Sequence, residues 1–152
     1  MIVLVPFRSN SMRIAAPASC IAGLALSASA LAADIDWIAV DQAIGKQGSE
    51  QPGGVHKFGM PRSDLHVTVD GLAIKPAFAL GSWLAFQPTR QGVMVMGDLV
   101  LTDTEISPVM KRLIEEGFEI TAIHNHLLRT SMPVFYMHVE AHGDPVKLAK
   151  AA

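Results

Sequence analysis

The sequence predicts an α+β domain built on a mixed, mostly antiparallel sheet with one β-α-β crossover and two or three helices. Short β-rich runs separated by turn residues dominate residues 64–101 and 118–142. Between them, residues 104–117 carry a clean helical period, the position and length of a crossover between two strands. Half of the 152 residues are hydrophobic, and 12 Gly and 9 Pro supply turns, so one small globular domain accommodates the chain.

Each element has its own local reason. Trp37, Val40 and Ile44 recur at i, i+3, i+7 behind Asp34 or Asp36 as cap, and Gly45 stops this short helix. A Gly-rich loop over 48–54 follows. Residues 64–69 alternate as a strand, Asp70-Gly71 is a two-residue hairpin signal, and 72–80 continue as a strand interrupted by Pro76. Gly81-Ser82 turn into a strand over 83–87. The run VMVMGDLVL, 93–101, is apolar on both parities except at Asp98, which predicts a central strand covered on both faces. Ile106, Val109, Met110, Leu113 and Ile114 form the stripe of the crossover helix, with Thr104 as cap, Pro108 in the first turn and Gly117 as stop. Strands over 118–128 and 134–142 flank a turn at 129–133, and Asp144-Pro145 opens a closing helix.

The first 32 residues read as a secretory signal peptide. From Met12 the chain runs MRIAAPASCIAGLALSASALAA, one arginine and an uncharged stretch closing on Ala30-Leu31-Ala32, and Met12 fits as initiator better than Met1. The run from 14 to 33 is also long enough for an uncleaved anchor, the competing reading. Cys20 precedes most of the apolar run, which does not fit lipoprotein processing. Cleavage after Ala32 leaves a domain over 33–152, periplasmic or secreted, with no stable membrane span. Losing Arg8 and Arg13 leaves 10 basic against 14 acidic groups, net −4, which disfavours nucleic acid. Without Cys20 the exported chain has neither disulfides nor thiol chemistry.

Four of the six histidines fall within nineteen residues: His124 and His126, then His138 and His142. On a strand i and i+2 share a face, so His124 and His126 project together, as do Tyr136, His138, Glu140 and His142. An antiparallel register of even parity brings both sets to one face. Neutral imidazoles ligate Zn, Cu, Ni and Fe; with Glu140 or Asp144 these four make a transition-metal site, zinc first. A metal-free polar pocket and hydrogen-bonded histidines at a core edge stay open, the latter because the same parity begins with Phe118, Ile120 and Ala122. Asp98 is either a ligand or general base, or a carboxylate bonded to backbone beside Gly97. Arg62 and Asp64 read as a pair bracing a loop, and Met94, Met96 and Met137 as core filler rather than copper ligands. No phosphate loop, dinucleotide fingerprint or cysteine zinc motif occurs.

The segments WIAVDQAIG, GGVHKFGMPRSDL, VTVDGLAIKPAFALGSWLAFQP, VMVMGDLVLTDTEISPVMKRL, ITAIHNHLL and FYMHVEAHGD together resemble the LppY/LpqO family of exported bacterial proteins, a domain of unknown function, from Trp37 to Leu148. The resemblance places the family's HNH segment on His124, Asn125 and His126, and its MH-x3-HGD segment on His138, His142, Gly143 and Asp144. It implies little about activity. The chain departs from the family in lacking a lipobox and in carrying one copy of a domain that many members carry twice. If the site is built between copies, a homodimer is the expected assembly.

These residues support a histidine-lined sheet face that binds a metal ion or a small polar ligand. One alternative is a metal-dependent hydrolase with Glu140 or Asp98 as general base. The other is a non-enzymatic envelope module that docks a partner.

Overall fold

The computed structural model describes residues 34–152, so the expected leader lies outside the described residues. The elements are α1 (Trp37–Ile44), β1 (Ser49–Gln51), β2 (Val55–Pro61), β3 (Thr68–Val69), β4 (Leu72–Ala73), α2 (Pro76–Ala79), β5 (Gly81–Thr89), β6 (Gly92–Thr102), α3 (Asp103–Glu115), β7 (Glu119–His124), β8 (Val134–Gly143) and α4 (Pro145–Ala151). Six strands form one sheet in the order β1-β2-β5-β6-β8-β7, and β3 and β4 form a separate hairpin. The fold is α+β, as the sequence predicts. Every ladder is antiparallel. The crossover from β6 through α3 to β7 exists, but β8 lies between those two strands, so they run parallel without pairing.

Strand alternation sorts the sheet into two faces. Phe58, Leu84, Phe86, Val93, Val95, Leu101, Met137, Val139 and Ala141 point to one face, where Val40 of α1, Leu113 of α3, and Leu148, Ala149 and Ala151 of α4 close the main core. Phe58 and Phe86 meet edge to face at 5.6 Å between centroids. Gly97 belongs to this packing: a Cβ there would lie 2.5 Å from Leu84 Cδ2 and 2.9 Å from the Trp83 carbonyl oxygen, so no larger residue fits. The opposite face is covered only at one end, where the β3–β4 hairpin, α2 and neighbouring loops bury Val67, Leu80, Val100, Val134 and Tyr136. Its remainder, from Trp83 to His142, stays open. Central β6 is therefore buried on one face along its length but not on both, and Met96 is 46% exposed.

Several local expectations are corrected. Residues 49–51, expected within a loop, and 55–61, expected in no element, are strands; the inward positions of β2 are His56, Phe58 and Met60, a pattern that a polar His and Gly59 disguise. Pro76 opens a helical turn instead of interrupting a strand, since a proline at the first helical position has no N–H to lose. Only residues 68–69 and 72–73 pair in the hairpin, around Asp70 and Gly71 at φ 48° and 83°, the left-handed pair that a type I′ turn needs. Helix α3 is capped at Thr102 rather than Thr104: the Thr102 N–H donates to Glu105 Oε2 at 2.8 Å. Pro108 consequently sits in the second turn. Arg62 braces the same corner, donating to Asp64, Glu105 and the Val100 carbonyl. These carboxylates hold the guanidinium charged and lie themselves below the usual carboxylate range.

Candidate metal centre

The site forms where β7, β6 and β8 meet the edge of the covered end. Asp98 of β6 faces His138 of β8, and His138 faces Ala122 of β7. One irregularity decides the site. Ile120 pairs with Val139, whose side chain points to the helices, yet Ala122 pairs with His138 and His124 with Tyr136, so the register shifts between Ile120 and Ala122. A bulge of one residue reverses the facing of everything beyond it. Phe118 and Ile120 thus pack with the main core while His124 emerges on the open face. The core-edge reading of the histidines depended on unbroken alternation, and the bulge breaks it.

Strand β7 ends at His124, four residues short of the predicted strand, so His126 lies in the following loop. It reaches the site all the same. The Asn125 amide donates to the Val134 carbonyl at 3.2 Å, and Thr130 bridges to Val69 of the hairpin. The His126 ring then lies flat on Tyr136, 3.5 Å between centroids and 17° from parallel. Tyr136 is 2% exposed, and its hydroxyl donates to the Ala79 carbonyl of α2. Burial, reinforced by the negative Asp98, raises its pKa, so it is a neutral donor and a platform. The sequence reading placed Tyr136 on the histidine face but assigned it no role; its position two residues before His138 was the available signal.

His124, His126 and His138 each offer a ring nitrogen, and these atoms all lie within 4.8 Å of one another. The Nε2 atoms of His124 and His126 are 2.8 Å apart. Ligand atoms about a tetrahedral zinc with bonds of ~2.0–2.1 Å are about 3.3 Å apart, so the three rings need small adjustments to hold an ion. Asp98 adds a fourth group: its Oδ1 is 3.8 Å from His138 Nε2, too far for a hydrogen bond. Both atoms are buried, and neither has a partner among the described residues. An unpaired buried carboxylate oxygen facing an unpaired imidazole nitrogen is costly unless something bridges them. Burial of its ring lowers the His126 pKa; Asp98 opposes this, and His124 and His138 add to it. His126 is therefore held neutral, the form that ligates.

The other sequence candidates lie elsewhere. His142 stands four residues along β8 from His138, about 13 Å at the strand rise, and approaches Glu140 at 3.3 Å. Asp144 caps α4, accepting from the Lys147 N–H at 2.7 Å. Glu140 lies between, paired with Met96 and Glu119 across its two ladders. The expected four-histidine set is thus divided, because equal parity on a strand fixes a face and not a distance. Met137 points to the helices, opposite Met94 and Met96, so those three sulfurs converge on nothing. A fifth histidine, His56, is already engaged: its Nε2 meets Asp41 Oδ1 at 2.8 Å and its ring stacks on Trp37 at 4.5 Å.

No helix among the described residues is long and apolar enough to cross a membrane. No curated protein and no solved structure matches the chain. The family described as a Domain of Unknown Function (DUF1259) matches residues 38–152, all but the first few described residues, and the chain belongs to that family.

Proposed function

We propose that this is an exported protein of the LppY/LpqO kind, periplasmic or secreted, that binds a divalent transition metal through His124, His126 and His138. The observation that carries the reading is the buried, unpartnered pair Asp98 Oδ1 and His138 Nε2 beside two further imidazole nitrogens. Three neutral nitrogen donors fit zinc first, with copper, nickel and iron as competitors. Asp98 either completes the donor set or bonds a ligand held in the remaining position. That position faces the open side of the sheet and suits a small polar ligand.

The test is elemental analysis of the protein purified without a histidine tag, beside the double variant His124→Ala/His126→Ala. Near-stoichiometric metal in the parent and none in the variant is the expected result. Absence of metal after reconstitution with each ion in turn removes the reading and favours a docking module.

A second reading, metal-dependent hydrolysis, is supported by Asp98. A zinc held by three histidines supplies a Lewis acid that acidifies a coordinated water. The Asp98 carboxylate, buried and without a donor of its own, is placed to take the proton, whereas Glu140 lies about 7 Å farther along β8. Metal-dependent turnover lost in Asp98→Asn and retained in Glu140→Gln is the expected outcome. Equal loss in both variants, or turnover indifferent to metal, removes this second reading.

A further inference from the structure

The open face continues past the histidines into a slot. Trp83 is the ladder partner of Asp98, Ala85 of Met96 and Gln87 of Met94. Trp83, Ala85, Gln87, Met94 and Met96, with Val55, line a cavity of about 150 Å³. An apolar cavity of that size holds one benzene molecule. Apart from Gln87 the lining is apolar, and Met96 is 46% exposed. Strand spacing and rise put the Met96 Cα about 8 Å, and the Ala85 Cα about 12 Å, from that of His138.

Charge narrows the occupant. Three neutral imidazoles leave a divalent ion's charge uncompensated except by Asp98, which favours an anionic group at the ion. Glu140, the partner of Met96, stands at the near rim of the slot and repels a second anion there. On the far side the Lys57 ammonium lies 4.5 Å from the centroid of the Trp83 ring, which holds that wall in place.

We propose that this slot is the side-group subsite of the metal centre, and that its ligand is a small organic anion bearing one uncharged, ring-sized apolar group about 8–12 Å from its anionic end. The inference rests on the metal reading above and goes beyond it by naming the ligand class. The anion binds the ion that the histidines hold; the ring packs on Ala85, Met94, Met96 and the edge of Trp83.

The test is calorimetric titration of the zinc-loaded protein with 6-phenylhexanoate and with hexanoate, which share the anion and chain and differ in the ring. At least tenfold tighter binding of 6-phenylhexanoate is expected. That advantage disappears in Ala85→Phe, which fills the slot, while zinc stoichiometry is unchanged; Met96→Glu, at an exposed side chain, serves if Ala85→Phe does not fold. Zinc binding with equal affinity for the two acids, or an advantage that neither variant reduces, overturns the subsite alone. No zinc binding overturns the metal reading instead. In that case 6-phenyl-1-hexanol is compared with 1-hexanol on the metal-free protein: a preference removed by Met96→Glu upholds the slot as a ring site, and equal binding overturns it too.

Discussion

The protein holds two aspartate–histidine pairs in contrasting states. In the first, Asp41 accepts from the Gly48 N–H at 3.1 Å and meets His56 Nε2 at 2.8 Å, while Trp37 stacks on the imidazole. Burial would raise the Asp41 pKa, but the bonds to His56 and Gly48 outweigh it and hold it below the usual carboxylate value. The facing atoms of that pair are already bonded to each other, and the pair ties α1 to β2. In the second, Asp98 and His138 face each other at 3.8 Å with both atoms buried and unpaired, and two more histidines stand alongside. The residue types are the same. What distinguishes a structural pair from a candidate site here is whether the hydrogen-bonding capacity is already used.

The comparison can be broken most directly at the histidines. His138→Ala is expected to abolish stoichiometric metal uptake, whereas His56→Ala should leave it intact and lower the thermal midpoint; metal analysis and a melting curve on both variants decide the matter. Next in size is the exchange of the two carboxylates. Asp98→Asn is expected to weaken metal binding about 10–100-fold and to leave the metal-free protein as stable as the parent or more so. Asp41→Asn should reverse this, costing about 1–3 kcal/mol in urea unfolding with metal affinity unchanged. Similar stability losses in the two variants would mean that Asp98 is paired in solution.

A comparable effect on stability comes from Gly48. A Cβ on it would lie 2.3 Å from His56 Nε2, so Gly48→Ala must push the ring away from Asp41 and is expected to cost about 1–3 kcal/mol. The smallest is the pH dependence of the metal-free protein. His126 has a pKa below 6.5 when folded, so between its folded and unfolded values the unfolded chain binds more protons. Stability from this group is present above pH 6.5 and declines as pH falls through that window; His126→Ala should flatten the decline in urea midpoints. The Asp41 contribution, whose folded pKa is also depressed, should persist until the pH falls below about 4 and vanish through the folded value.

Much of the fold was legible because each element carries its own signal. The capped period of α1, the stripe of α3, the Asp-Pro start of α4, the Asp70-Gly71 turn and the apolar run of β6 are local, and the structure has elements there. Strand β2 was not legible, since its inward positions include a histidine that becomes acceptable only once Asp41 and Trp37 enclose it. The end of β7 was hidden for a related reason: Leu127 and Leu128 extend the apolar pattern, yet the chain leaves the sheet after His124 and Leu127 joins the smaller cluster under the hairpin. At the site, His124, His126, His138 and Asp98 were each identified from residue type and parity. The convergence of the histidines was expected only for an even-parity register, which the sequence could not fix, and His142 and Asp144 were included with them although the structure places both elsewhere.

The sequence by itself determined the class, the central strand, the crossover helix and which residues of β8 share a face. Side-chain alternation is a property of one strand, and it suffices for those conclusions. Only the tertiary structure decided that β8 separates β6 from β7, that Asp98 stands opposite His138, and that a bulge beyond Ile120 carries His124 away from the core. Those outcomes depend on how strands pair across long stretches of chain. A single residue of slip exchanges buried for open positions, and the competing registers differ in packing and hydrogen bonding that no local segment encodes.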